Sequence, residues 1–150
     1  MKIWRTLALL CLPALLTACN KVDTSDKGAP SGMTYARGEE LELHKARVEA
    51  LSHWSEFVSA FEKRKEGDRF AVKACFQDGN RQVHKWLIVD DLARNNITGH
   101  FAKSDSAEST LKEGQSATAL ATNIEDWSYI EASGTEHGGY TIAVLRKNRH

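Results

Sequence analysis

The stretch Asp68-Arg69-Phe70-Ala71-Val72-Lys73-Ala74-Cys75-Phe76-Gln77-Asp78-Gly79-Asn80-Arg81-Gln82-Val83-His84-Lys85-Trp86-Leu87-Ile88-Val89-Asp90 decides the fold. Over Asp68 to Phe76, the apolar Phe70, Val72, Ala74 and Phe76 alternate with Ala71, Lys73 and Cys75, the period-two signature of a half-buried strand. Asp78-Gly79-Asn80 supplies turn residues, and Val83 to Asp90 resumes as a second strand, so the segment predicts a β-hairpin. A two-residue loop, Gly79-Asn80 or Asp78-Gly79, puts Val83, Leu87 and Val89 on the core side, with Lys73, Cys75, His84 and Trp86 on the other. The first of these loops sets His84 opposite Cys75, and the second sets it opposite Lys73. A three-residue loop exchanges the faces, because one slip turns every side chain over.

Immediately before the hairpin the period is helical. Leu43, Ala46, Ala50, Trp54, Phe57 and Phe61 recur at three- and four-residue steps, and Leu51 and Val58 widen the same face. Glu39, Glu40 and Glu42 crowd the start and Lys63, Arg64 and Lys65 the end before Gly67, the charge order that a helix dipole favours. After the hairpin, short strands are expected at Ile97 to Ala102, Gln115 to Thr122, Trp127 to Glu131 and Tyr140 to Leu145. The expectation is an α+β fold in which one long N-terminal helix packs on a mainly antiparallel sheet of about five to six strands. The 150 residues fit one such domain, at 41% hydrophobic and 27% charged.

Further outward, residues 21–38 are rich in Gly, Ser, Asp, Lys and Thr and show no apolar period. They read as a tether with a root-mean-square span of roughly 23–25 Å. The first residues have the layout of a secretory signal: basic Lys2 and Arg5, an apolar run from Leu7 to Leu16, then small Thr17 and Ala18. Leu16-Thr17-Ala18-Cys19 resembles the bacterial lipobox, in which the cysteine is acylated and becomes the new N-terminus. The chain therefore divides into a signal peptide, residues 1–18, a lipidated Cys19 with its tether, residues 19–38, and a domain over residues 39–147. This layout predicts a lipoprotein of the cell envelope that faces the periplasm. Asn20 in place of an aspartate favours the outer membrane over the inner. Losing Lys2 and Arg5 takes two of the 20 basic residues and leaves 20 acidic ones, a charge of −2 that gives no pull toward nucleic acid.

Phe70-Ala71-Val72-Lys73, Trp86, Gly99, Gly114, then Ile124-Glu125-Asp126-Trp127-Ser128-Tyr129 and Gly138-Gly139-Tyr140-Thr141 together resemble the YegJ-like family of bacterial proteins, a domain of unknown function. The likeness covers residues from about 45 to 146. It implies a compact α+β domain, often secreted or lipid-anchored, and carries no reaction or catalytic residues.

Two functional readings follow from the residues. In the first, the domain is a non-catalytic binding module for a periplasmic protein, of the immunity or envelope-associated kind. Trp86, Asp126, Trp127, Tyr129 and Tyr140 are then its candidate binding residues, since Trp and Tyr dominate binding hot spots. The alternative is a cysteine-dependent periplasmic enzyme with Cys75 as nucleophile and His84 as base. A mature chain without Cys11 and with Cys19 acylated has Cys75 as its one remaining thiol, for which burial is the simpler expectation. No cofactor is expected. His44, His53, His84, His100 and His137 are scattered without zinc-like spacing, and the sequence has no phosphate loop, dinucleotide fingerprint or Gly-x-Ser-x-Gly elbow.

Overall fold

A computed structural model describes residues 37–103 and 109–148. Cys19, the signal peptide and almost all of the tether lie outside these residues. Helices α1 (Arg37–Ser52) and α2 (Trp54–Glu62) precede strands β1 (Arg69–Asp78), β2 (Arg81–Ala93), β3 (Asn96–Phe101), β4 (Ser116–Leu120), β5 (Ile124–Ile130) and β6 (Glu136–Gly138), and α3 (Tyr140–Lys147) closes the chain. The strands form one six-stranded sheet, in order β4-β3-β2-β1-β5-β6, with every pairing antiparallel. The fold is α+β.

The hairpin has its two-residue Gly79-Asn80 loop, fixed by the Asp78–Arg81 pair, with Gly79 at φ +61°. Val72 thus faces Leu87 and Ala74 faces Lys85 on the core side, while Lys73 faces Trp86 and Cys75 faces His84 on the other. Phe57 of α2 meets Phe70 edge to face at 5.5 Å, and Phe61 meets the same ring at 5.2 Å. Val72, Leu87, Ile97 and Trp127 are fully buried beside them. Phe76 of β1 and Phe101 of β3 also meet, at 4.8 Å, although β2 runs between their strands, so the sheet curls around its apolar side. Two polar groups hold the segment after β3 against that curl. The buried Asp78 carboxylate accepts from Ser109 Oγ and from the Thr110 N–H and hydroxyl, and the buried Lys85 ammonium donates to the Leu111 carbonyl at 2.9 Å.

The helical region is two helices rather than one long helix. The Ala50 carbonyl, which a continuous helix would offer to the Trp54 N–H, accepts the Trp127 indole N–H at 2.6 Å and a tight-turn bond from His53 N–H. Ser52 Oγ also donates to the Glu49 carbonyl. Local side-chain competition and a tertiary bond therefore interrupt the backbone ladder at His53. Within α1 the apolar face is narrower than expected: Leu43, Ala46 and Ala50 are buried, but Leu51, about 100° round the helix from Ala50, is 47% exposed.

The segment from Tyr140 is a helix, not the expected strand. Gly138 and Gly139 both take positive φ, +73° and +71°, and turn the chain out of β6, a short edge strand that the sequence pattern did not reveal. The Tyr140 and Thr141 N–H groups, free donors at a helix start, are taken up by the Asp126 carboxylate from β5.

Candidate functional site

β5 carries one residue more than β1 where the two strands meet. The register shifts between Lys73 and Ala74, so Glu125 and Asp126 together oppose Lys73. Such a bulge re-aims side chains, and here its two acids have different surroundings. Asp126 is fully buried and accepts from Trp127 N–H, Tyr140 N–H, Thr141 N–H and Thr141 Oγ at 2.8, 3.2, 2.8 and 2.6 Å. Its oxygens are committed to α3. Glu125, with a side chain 15% exposed, is bonded to His84 Nδ1 at 2.9 Å.

His84 stands on β2 and Glu125 on β5, the two neighbours of β1. Their bond therefore bridges across β1, where Cys75 is the cross-strand partner of His84. Directly opposed residues in an antiparallel pair keep their Cβ atoms about 4.5–5.5 Å apart, so thiol and imidazole share one patch. With Nδ1 bound to the carboxylate, Nε2 is the ring nitrogen left to face other groups. Cys75 itself is half-buried.

Burial pushes the Glu125 carboxyl up, but the His84 hydrogen bond, the His84 charge and the Arg47 and Lys73 cations outweigh it and hold the group below the ordinary 4.5. Desolvation lowers the Lys73 ammonium from its ordinary 10.5, against the attraction of Glu125. The patch thus holds an acid, an imidazole, a thiol and the Lys73 ammonium, with the Arg47 guanidinium in electrostatic reach of Glu125 and Lys73. No group of three or more metal-ligating side chains occurs among the described residues.

The structure does not gather the five aromatic and acidic binding candidates into one groove. Trp127 and Tyr129, exposed 0% and 9%, stack at 6.2 Å in the core. Tyr140 packs edge to face on Trp127 and stacks on His53. Trp86 stands on the other side of the sheet, where it and Ile88 are half-buried. Asp126 is a helix cap. The residue that sequence reasoning missed is Glu125, because nothing in Ile124-Glu125-Asp126-Trp127 signals a bulge.

The model of a family described as an uncharacterized protein conserved in bacteria (DUF2314) matches residues 40–149, from the second turn of α1 past the end of α3. The chain belongs to this family. The DUF2314 domain thus includes every strand and the whole His84–Glu125 patch. The chain is 29% identical over 104 residues to the uncharacterized protein YegJ of Escherichia coli (strain K12), in an alignment that covers 67% of each protein. No solved structure matches it.

Proposed function

We propose that this DUF2314 protein is a lipid-anchored outer-membrane lipoprotein whose domain binds another protein in the periplasm, as an immunity-type or envelope-associated factor. The supporting observation is the sheet face opposite the core. There Trp86 and Ile88 lie side by side with Ala71 on the two central strands, flanked by His84–Glu125 on one side and His100–Asp90 on the other. A half-buried indole beside Ile88, with Lys73 directly across from it and a polar rim, has the mixed aromatic and polar composition of a binding hot spot. Among the described residues no helix is long and apolar enough to cross a membrane, so attachment in this reading rests on acylated Cys19.

The test is photo-crosslinking in cells from position 88. One dominant adduct that disappears in Trp86→Ser supports the reading; a chain that crosslinks to nothing, or to the same products with and without Trp86, overturns it.

A second reading, a cysteine-dependent enzyme, is favoured by one observation, the Glu125 carboxylate that orients His84 beside Cys75. Sequence alone offered no third group. In this reading His84 takes the thiol proton and the thiolate is the nucleophile. Iodoacetamide should then label Cys75 in the folded protein at neutral pH faster than a model thiol, with His84→Gln abolishing the advantage. Slow labelling that His84→Gln leaves unchanged removes this reading.

A further inference from the structure

Three of the four large hydrophobic side chains exposed among the described residues lie on α1: Leu41 at 55%, Val48 at 56% and Leu51 at 47%. Their steps of seven and three residues put them on one stripe of the helix, with exposed His44 between them. The opposite side of α1 is already used, since Leu43, Ala46 and Ala50 are buried there. Glu42 and Glu49 line the groove between α1 and α3, and Glu42 pairs with Lys147 at 3.7 Å. α1 is thus apolar along two sides. The outer apolar side carries His44 between its leucines and valine, with the exposed Glu40 and Lys45 at its two margins.

From this arrangement we propose that the Leu41–Val48–Leu51 stripe lies on the surface of the membrane that holds the chain, with α1 parallel to the bilayer. The inference rests on the lipid-anchored reading given above. α1 is the first described element after Cys19, and residues 20–36 reach roughly 60 Å at full extension. A helix on so short a leash meets the bilayer at an effective concentration in the millimolar range, so an apolar contact too weak to recruit a soluble protein is occupied. Interfacial helices of this kind bury one apolar face about 5–10 Å into the boundary between headgroups and acyl chains, and their lysines favour anionic lipid. Lys45 lines the groove toward α3 together with Glu42 and Glu49, so what the stripe offers the bilayer is its apolar side chains rather than a basic face.

The experiment uses the full processed chain, purified with its own N-terminus and reconstituted into vesicles of phosphatidylethanolamine and phosphatidylglycerol. In a Cys75→Ser background, Leu41→Cys, Val48→Cys and, as a control on α2, the exposed Ser59→Cys each carry an environment-sensitive NBD dye. Dye at 41 and 48 should brighten several-fold and be quenched by spin-labelled lipid, while dye at 59 stays dim and unquenched. Mass analysis of the N-terminal peptide accompanies each sample. If Cys19 is acylated and position 48 is quenched no more than 59, the stripe is not on the membrane, although the anchor stands. Disulfide crosslinking of 48 to 48 between copies, without quenching, would assign the stripe to a second copy of the chain and overturn the proposal. If the chain begins at Met1 with an unmodified Cys19, the anchor and the inference fail together. Positions 41, 48 and 59 are exposed, and because Cys75 is half-buried the Cys75→Ser parent is first shown to melt as wild type by circular dichroism.

Discussion

Replacing Asp126 by alanine should be among the most damaging single changes in the domain. The carboxylate is fully buried and accepts four hydrogen bonds: Trp127 N–H, Tyr140 N–H, Thr141 N–H and Thr141 Oγ. In the alanine variant these donors lose their acceptor, and Thr141, itself 1% exposed, has no ready access to water. Each buried donor left unsatisfied costs about 1–3 kcal/mol, and the terms are not additive. Weighing the buried donors fully and the half-buried Tyr140 N–H little gives a loss of about 3–5 kcal/mol. At about 4 °C per kcal/mol for a domain of this size, the midpoint should fall by roughly 12–20 °C. Asp126→Asn keeps the shape but turns an NH2 toward one pair of donors, so it should lose about half as much. Urea unfolding by circular dichroism gives the free energies, and hydrogen exchange at Tyr140 and Thr141 shows whether α3 frays first. A double-mutant cycle with Thr141→Val should return a coupling above about 1 kcal/mol. An Asp126→Ala loss below about 1 kcal/mol, with α3 exchange unchanged, would refute the cap.

The His84–Glu125 pair has a defined pH dependence. Because the folded-state Glu125 pKa is held below 4.5, its stabilisation is present above that value and is lost as pH falls through the lowered one, so wild type and Glu125→Gln should converge in urea midpoint in acid. In His84→Gln the strongest opposing contributions to burial are gone, and NMR titration should find the Glu125 carboxyl raised. Asp78, lowered by its Thr110 and Ser109 bonds, should behave likewise on acidification, with loss of protection at Thr110. Among glycines, a Cβ at 99 would overlap the Ile88 carbonyl and one at 138 would meet the Trp127 ring at 2.5 Å. Gly99→Ala and Gly138→Ala should therefore express poorly or melt early, whereas Gly134→Ala, at φ +91° in open space, should cost only about 1 kcal/mol by thermal melting. Leu51→Ser should fall within about 0.5 kcal/mol of wild type and Phe57→Ala should lose about 3–5 kcal/mol, a contrast that denaturant titration resolves.

The hairpin was legible because its alternation is long and its turn chemistry explicit, leaving only the loop register to the structure. Strands β3, β4 and β5 followed from shorter runs of the same kind. Tyr140 to Leu145 misled because Tyr140, Ile142 and Val144 alternate over a span too brief to separate period two from a helical stripe. What decides that segment is Asp126, fourteen residues upstream, which no local pattern announces. The break at His53 has the same origin, an indole from β5 on a helix carbonyl. Leu51 passed for a core residue because the face was drawn too wide, about 100° round α1 from the buried Ala50. Of the candidate sites, the Cys75–His84 pairing belonged to one of three loop choices open to the sequence, and Glu125 was invisible because a bulge leaves no mark in composition.

The dependence of α3 on Asp126 makes that helix a fastener rather than an appendage. Of the four donors to the buried acid of β5, only the Trp127 N–H comes from that strand, and the other three come from α3, on the far side of β6. A nascent chain stopped at Gly139 would carry every strand and still hold an unsatisfied carboxylate next to Trp127. The domain should therefore close only when α3 has docked, so that pairing of the six strands does not by itself complete it.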